Sequence, residues 1–227
     1  HDALPIYYQC PVILLADQYL GYRTATVPVP DLDRVRIRER LRPQKNGDYR
    51  RYEDTPSGIS PMAFPGEEGL TYQTTGLEHD EYGHPAPNSG EMHVKMLNKR
   101  WRKLQTVTED ESLVRYHGHE EPVLGIISWG STEGVIREAV AKANGEGYRV
   151  AALHPKLIFP VPVRIIERFL HKCRAVMVVE TNHSGQYANL LRTHFAREFI
   201  KVNKFNGLPF RPAEIYLKIR EVYPNGA

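Results

Sequence analysis

The chain has 227 residues, 41% of them apolar and 25% charged, with a net charge of +3 and a pI of about 8.8. That suits one large globular domain, or one domain with part of another, and provides for a sizeable core. No apolar run is long enough for a membrane-spanning helix, and the charge excess is too small to call for a nucleic-acid partner.

HDALPI (residues 1–6) has neither an initiator Met nor a signal-peptide pattern. Back-translated as CAC GAC GCT CTT CCG ATC, it spells the end of a common sequencing adaptor, whose last base also opens a Tyr codon at Tyr7. We expect residues 1–6 to be an assembly scar and the native chain to be truncated at its 5′ side. CPVILLADQYL (Cys10–Leu20) then carries the apolar run Val12–Leu15, the pattern of a strand buried on both faces of a parallel sheet and ending at Asp17. Such a strand cannot bury both faces alone, which points to an upstream domain that it completes.

Residues 22–121 are polar and irregular. Pro28, Pro30, Pro43, Pro56, Pro61 and Pro65 exclude long helices there. Arg34, Arg36, Arg38, Arg40, Arg42, Lys45, Arg50 and Arg51 stand against only Glu39 and Asp48. This is a solvated connector or docking face, or else a patch for phosphate or a carboxylate substrate. TPSGISPMAFPGEEG (Thr55–Gly69) strings turn signals together, and a loop of that length in a compact protein is functional or disordered. Ile59, Met62, Phe64, Leu70 and Tyr72 provide anchors, so order is expected.

TGLEHDEYGHP (75–85) sets His79 and His84 among Glu78, Asp80 and Glu81, with His93 beyond. The spacing could suit zinc. A loop framed by Gly76, Gly83 and Pro85 holds ligands poorly, however, and no metal is assigned to it. Met92, Met96, Leu97, Trp101 and Leu104 recur at helical spacing, predicting an amphipathic helix over Met92–Gln105 with a basic outer face. His117 and His119 fall in a solvated linker.

From Pro122 the pattern becomes regular. VLGIISWGS, YRVAALHP, RAVMVVETN and REFIKVNKF read as strands. TEGVIREAVAKANGEG, PVPVRIIERFLHKC, SGQYANLLRTHFA and RPAEIYLKIREVY read as the helices between and after them. The first of these helices has Ser131 or Thr132 as N-cap and Gly145 or Gly147 as its stop. The alternation predicts an open parallel sheet covered by helices over residues 122–227.

Ligands of such sheets gather beyond the carboxyl ends of the strands, here Trp129–Thr132, Leu153–Pro155 and Glu180–Gly185. Neither GxGxxG nor GxxxxGK[ST] is present, so the dinucleotide and P-loop readings fail. Glu180 with His183 could be an acid/base pair and Ser184 a nucleophile, but no GxSxG elbow supports the latter. Capping of helices and contact with a partner domain are the favoured roles. Cys10 and Cys173, widely separated in apolar runs, are neither a disulfide framework nor a cluster or zinc set, which points to the cytoplasm.

YQCPVILLADQYLG, SGISPMAFPG, TGLEHDEYGHP, KMLNKRWRKL, GIISWGSTEGVIREAV, LHPKLIFPVP and VVETNHSGQYANLLR occur together, in this order, in one family. From Tyr8 onward the chain resembles the alpha subunit of 2-oxoacid:ferredoxin oxidoreductases, most closely the 2-oxoglutarate type. The resemblance implies a thiamine diphosphate enzyme that oxidatively decarboxylates a 2-oxoacid with coenzyme A. 2-Oxoglutarate would give succinyl-CoA, carbon dioxide and reduced ferredoxin. It implies that thiamine diphosphate and Mg are shared with a beta subunit, which also carries the [4Fe–4S] cluster.

On this resemblance residues 7–21 end a pyrimidine-binding α/β domain and 22–121 form a substrate-lining loop and connector. Residues 122–227 become a transketolase C-terminal-like α/β domain. Ser60, Pro61 and Met62 stand where members often have Ser-Pro-Arg, whose arginine receives the substrate carboxylate. Met62 cannot form that bidentate contact, so either another cation, from the stretch Arg34–Arg51, takes its place or the pocket differs. The family's cofactor-activating carboxylate and its Tyr-Pro-Ile-Thr-Pro segment would lie upstream, so no catalytic residue is assigned and the fragment is expected to be inactive alone. The alternatives are a pyruvate or branched-chain 2-oxoacid enzyme on the same scaffold, and a non-catalytic α/β interaction module.

Overall fold

The computed structural model describes residues 4–34, 39–44 and 47–224. The chain divides into two compact units, one of His1–Leu14 and Ala25–Val107, the other of Leu15–Thr24 and Thr108–Ala227.

The first unit has little regular structure besides helices α1 (Leu4–Tyr8) and α3 (Gly90–Val107). Short helix α2 (Gln18–Tyr22) belongs to the second. The strand expected over Cys10–Leu20 does not form. Residues 11–17 have no regular structure, and Ile13, Leu14 and Leu15 are 83%, 72% and 59% exposed. A continuous apolar run becomes a buried strand only where neighbours take its backbone hydrogen bonds and cover both faces. No described strand pairs with it.

The second unit is built on β1 (Val114–Gly118), β2 (Leu124–Ser128), β3 (Val150–Pro155), β4 (Ala175–Glu180) and β5 (Ile200–Asn203), in spatial order β1-β3-β2-β4-β5. Helices α4 (Glu133–Gly145), α5 (Val163–Lys172), α6 (Gln186–His194) and α7 (Pro212–Val222) alternate with β2 to β5 as predicted. The pairs β2–β3, β2–β4 and β4–β5 are parallel.

Alternation along each strand sorts the core into two faces. Ile127, Leu153 and Val178 meet Ile166, Phe169, Tyr187 and Leu191 of α5 and α6. Leu124, Ile126, Ala152 and Met177 meet Ile136, Val140, Ile215 and Ile219 of α4 and α7. Each fully buried Ile or Leu contributes roughly 1.5–3 kcal/mol.

The parallel sheet expected over residues 122–227 is present, and a strand outside that range, β1, joins its edge antiparallel to β3, from Val114 opposite Pro155 to Gly118 opposite Ala151. The alternation of β1 was masked by polar residues, since an edge strand buries only part of itself. His117 accordingly lies in a strand, with its Nε2 3.1 Å from Glu133 Oε1 and its ring 5.4 Å from that of His154. Thr132 precedes α4 as expected, but its hydroxyl donates to the Trp129 carbonyl, because a 3-10 turn over Gly130–Thr132 leads into the helix.

Candidate functional site

The three segments beyond the parallel strands serve the fold. Glu180 is 1% exposed, and its carboxylate accepts hydrogen bonds from the backbone N–H groups of Tyr187 and Ala188 at 2.8 and 3.0 Å and from Asn182 Nδ2 at 2.7 Å. It thus satisfies the free donors at the start of α6. Ser184 offers its carbonyl to Asn189, and His183 packs edge-on against Phe205. Ser128 Oγ lies 2.7 Å from His154 Nδ1, but the two are 0% and 2% exposed and so closed to substrate. Burial drives the His154 pKa down to about 4, leaving the ring neutral.

The histidine-rich loop is tied to organic partners. The His79–Pro85 bridge closes it, Asp80 Oδ1 accepts the N–H groups of Tyr82 and His84 at 2.9 Å, and Gly83 takes φ +94°. A Cβ on Gly83 would lie 2.1 Å from the Gln73 carbonyl oxygen. Glu78 pairs with His93 at 2.5 Å and faces Arg100 at 3.4 Å, while Glu81 pairs with Lys95 at 2.8 Å. Among the described residues no group of three or more His, Cys, Asp or Glu could hold a metal ion.

Chemistry is better placed in the first unit, where a cleft of about 160 Å³ is lined by Gln9, Arg51, Tyr52, Gly58, Ser60, His79, Met96, Lys99, Arg100 and Lys103. The Thr55–Gly69 loop forms one wall and α3 the other. Close approach of the two requires glycine at position 58, which has φ +76°; a Cβ there would lie 2.5 Å from the Lys99 carbonyl oxygen. Internal bonds hold the loop: Thr55 Oγ1 donates to the Ile59 carbonyl at 2.9 Å and Ser60 Oγ to the Glu53 carbonyl at 2.9 Å. Gln9 Nε2 donates to the Ser60 carbonyl at 2.6 Å, and the Met62 N–H to the Leu41 carbonyl at 2.8 Å.

Of the sequence-predicted residues, Ser60 lines this cleft, and Pro61 joins it to Met62, whose Sδ lies 3.3 Å from Arg51 Nη2. Arg51, at the end of the basic stretch, is 8% exposed, its guanidinium 4.8 Å from the Tyr52 ring centre and 5.7 Å from that of Tyr72. Its Nε is buried without a hydrogen-bond partner. Elsewhere in the stretch, Arg42 pairs with Glu67 and Arg50 with Asp48. Arg36, Arg38 and Lys45 lie outside the described residues.

Lys99 does not stand out in the sequence as a site residue. The helical periodicity turns Leu97 and Trp101 inward, yet these are 46% and 58% exposed, whereas Lys99 is 7% exposed beside buried Met96. Met96, Lys99 and Lys103 share the i, i+3, i+7 stripe of α3, and a lysine inside a plausible apolar stripe was the signal available. The Lys99 ammonium makes no described ion pair. Burial first, then the charges of Lys103 and Arg51, push its pKa down to about 8. The nearby acids are committed elsewhere, Asp54 to Arg102 and Glu81 to Lys95. The cleft therefore holds two buried cations, Arg51 and Lys99, with no carboxylate of their own among the described residues, an arrangement that favours an anionic ligand.

Comparison with known proteins covers both units. The family model for the pyruvate:ferredoxin oxidoreductase core domain II matches residues 124–215. The chain is 36% identical, over 96% of its length, to "2-oxoacid:ferredoxin oxidoreductase 2, subunit alpha" of Aeropyrum pernix, of which it covers 35%. It is 26% identical, over 93% of its length, to 2-oxoglutarate synthase subunit KorA of Methanothermobacter marburgensis, of which it covers 56%. A solved structure, the 2-oxoglutarate:ferredoxin oxidoreductase from Magnetococcus marinus with 2-oxoglutarate, coenzyme A and succinyl-CoA bound, superposes with a TM-score of 0.89 at 39% identity, covering 95% of this chain and 38% of that one. The chain thus spans about a third of the length of the curated relatives it matches first, 35% in each of the first three.

Proposed function

Because this chain belongs with the alpha subunits of the 2-oxoacid:ferredoxin oxidoreductases, we propose that it works within a cytoplasmic enzyme that decarboxylates 2-oxoglutarate oxidatively with coenzyme A. Its products are succinyl-CoA, carbon dioxide and reduced ferredoxin. The observation that carries this reading is the cleft behind Ser60–Met62, whose unpaired Arg51 and Lys99 suit an acidic substrate. The Magnetococcus marinus neighbour, with 2-oxoglutarate bound, supports the choice of acid. The pyruvate-type family model matches only residues 124–215 and so does not reach this cleft.

The cofactors fall to the assembly. Two free cysteines, Cys10 partly buried and Cys173 buried, do not fit an iron–sulfur cluster, and burial pushes the Cys173 thiol up to about 11. On this reading the cluster resides on the beta subunit, and thiamine diphosphate with its Mg is shared with it. When bound, thiamine diphosphate supplies the carbanion chemistry of decarboxylation. This chain's part is to hold and orient the acid: the Ser60–Met62 loop shapes one side of the cleft and the cations fix charge on the other.

The test is co-expression of the full-length alpha chain with its beta partner. A stable complex with cluster absorbance that reduces ferredoxin only when both 2-oxoacid and coenzyme A are present is the expected result. A chain that stays monomeric and binds no cluster-bearing partner would instead support the non-catalytic interaction module.

A further inference from the structure

The cations of the cleft differ from one another in a way that points to one ligand geometry. Arg100 faces Glu78, and Lys103 donates to the Gln9 carbonyl at 3.2 Å. Arg51 instead spends one N–H group on a thioether and leaves Nε without an acceptor, although the residue is 92% covered, taking its 8% exposure. Lys99, 7% exposed, makes no ion pair among the described residues; its ammonium lies 6.0 Å from the Tyr52 ring centre, and the nearby Asp54 and Glu81 are paired with Arg102 and Lys95. Sulfur is a weak acceptor, so Met62 does not satisfy the guanidinium. Burying two unmatched cations side by side is costly. An arrangement that costs stability at one place, beside a loop held in position by Gly58, is the signature of a site awaiting its counter-charge.

We propose that Arg51 and Lys99 together receive the distal carboxylate of a dicarboxylic 2-oxoacid, making Arg51 the specificity-determining residue in a chain that has methionine at position 62. This rests on the 2-oxoacid reading above and adds to it the residues that choose among acids. The guanidinium fork offers two parallel donors to a carboxylate, the ammonium adds a point charge, and the small cleft accommodates a short acid. Met62 then packs along the guanidinium and fills the space beside it. A monocarboxylic 2-oxoacid leaves both cations unmatched and is disfavoured for that reason.

The test uses the holoenzyme assembled from the full alpha chain and its partner, with 2-oxoglutarate and 2-oxobutyrate as paired substrates. In Arg51→Gln and in Lys99→Met, kcat/KM for 2-oxoglutarate relative to 2-oxobutyrate is expected to fall, on the order of 100-fold for Arg51→Gln. The loss appears in KM, and Arg51→Lys restores part of it. As a readout independent of turnover, glutarate inhibits the wild type far better than butyrate does, and this preference vanishes in Arg51→Gln. Lys99→Met guards against misfolding of the arginine variant, because it removes an unpaired charge from the interior. Wild-type turnover of 2-oxoglutarate with an unchanged substrate ratio in both variants overturns the inference and leaves the functional reading standing. So does a loss confined to the KM for coenzyme A, which would assign the cations to phosphate. Failure of the wild type on every 2-oxoacid overturns the functional reading, and the inference with it.

Discussion

Replacing Lys99 by methionine should make the protein more stable at neutral pH. The ammonium's pKa lies at about 8 in the folded chain against 10.5 for the free group. At 1.36 kcal/mol per unit, that depression of about 2.5 corresponds to about 3 kcal/mol of folding free energy lost when the group is charged. The sign follows from proton counting. Between pH 8 and pH 10.5 the unfolded chain holds the Lys99 proton and the folded chain does not, so wild-type stability rises with pH across that window and the deficit is fully present below it. Methionine fills the stripe beside Met96 without a charge, so Lys99→Met is expected to gain about 2 to 3 kcal/mol at pH 7. The gain over wild type should shrink towards zero by pH 10.5. Urea unfolding monitored by tryptophan fluorescence at pH 7, 9 and 10.5 measures both, with Trp101 reporting from α3 itself. Because other lysines titrate alike in both proteins, the difference between the curves isolates Lys99. A variant that is less stable at pH 7, or a gain independent of pH, would refute the reasoning.

His154, with a pKa of about 4 in the fold against 6.5 outside it, must accept a proton on unfolding below pH 6.5. Wild-type stability should therefore drop by about 3 kcal/mol as pH falls from 7 to 4, and His154→Gln should flatten that part of the profile in urea unfolding. Glu180→Ala strips the acceptor from two buried N–H groups at the start of α6 and should cost about 2 kcal/mol or more by the same assay. Cys173, buried and with its thiol pushed up to about 11, should resist alkylation at pH 8 until denaturant is added. Cys10, partly exposed, should react first, which peptide mass spectrometry can resolve. Gly58→Ala should destabilise the first unit through its clash with the Lys99 carbonyl and its positive φ, lowering Tm in calorimetry.

The α/β unit was legible because its elements declare themselves locally. Val150–Pro155 and Ala175–Glu180 are apolar runs of strand length bounded by turns, and α4 to α7 carry their own start and stop signals. The edge strand β1 was not legible, since VRYHG alternates weakly and gains its identity from pairing with β3. Cys10–Leu20 misled for the opposite reason: hydrophobicity marks a segment that can be buried, while burial depends on what lies against it. At the site, the Ser60–Met62 loop and the basic stretch ending at Arg51 could both be named from sequence. Their meeting at Met62 Sδ, and the inward turn of Lys99, depend on how the loop lies on α3, which no local pattern encodes.

The most direct measurement is a substrate panel on the assembled holoenzyme, with 2-oxoglutarate, pyruvate and a branched-chain 2-oxoacid each supplied with coenzyme A and ferredoxin. Acyl-CoA products are identified by mass spectrometry. Succinyl-CoA is expected as the dominant product, with the highest kcat/KM for 2-oxoglutarate. Preferential formation of acetyl-CoA or a branched acyl-CoA would contradict that assignment.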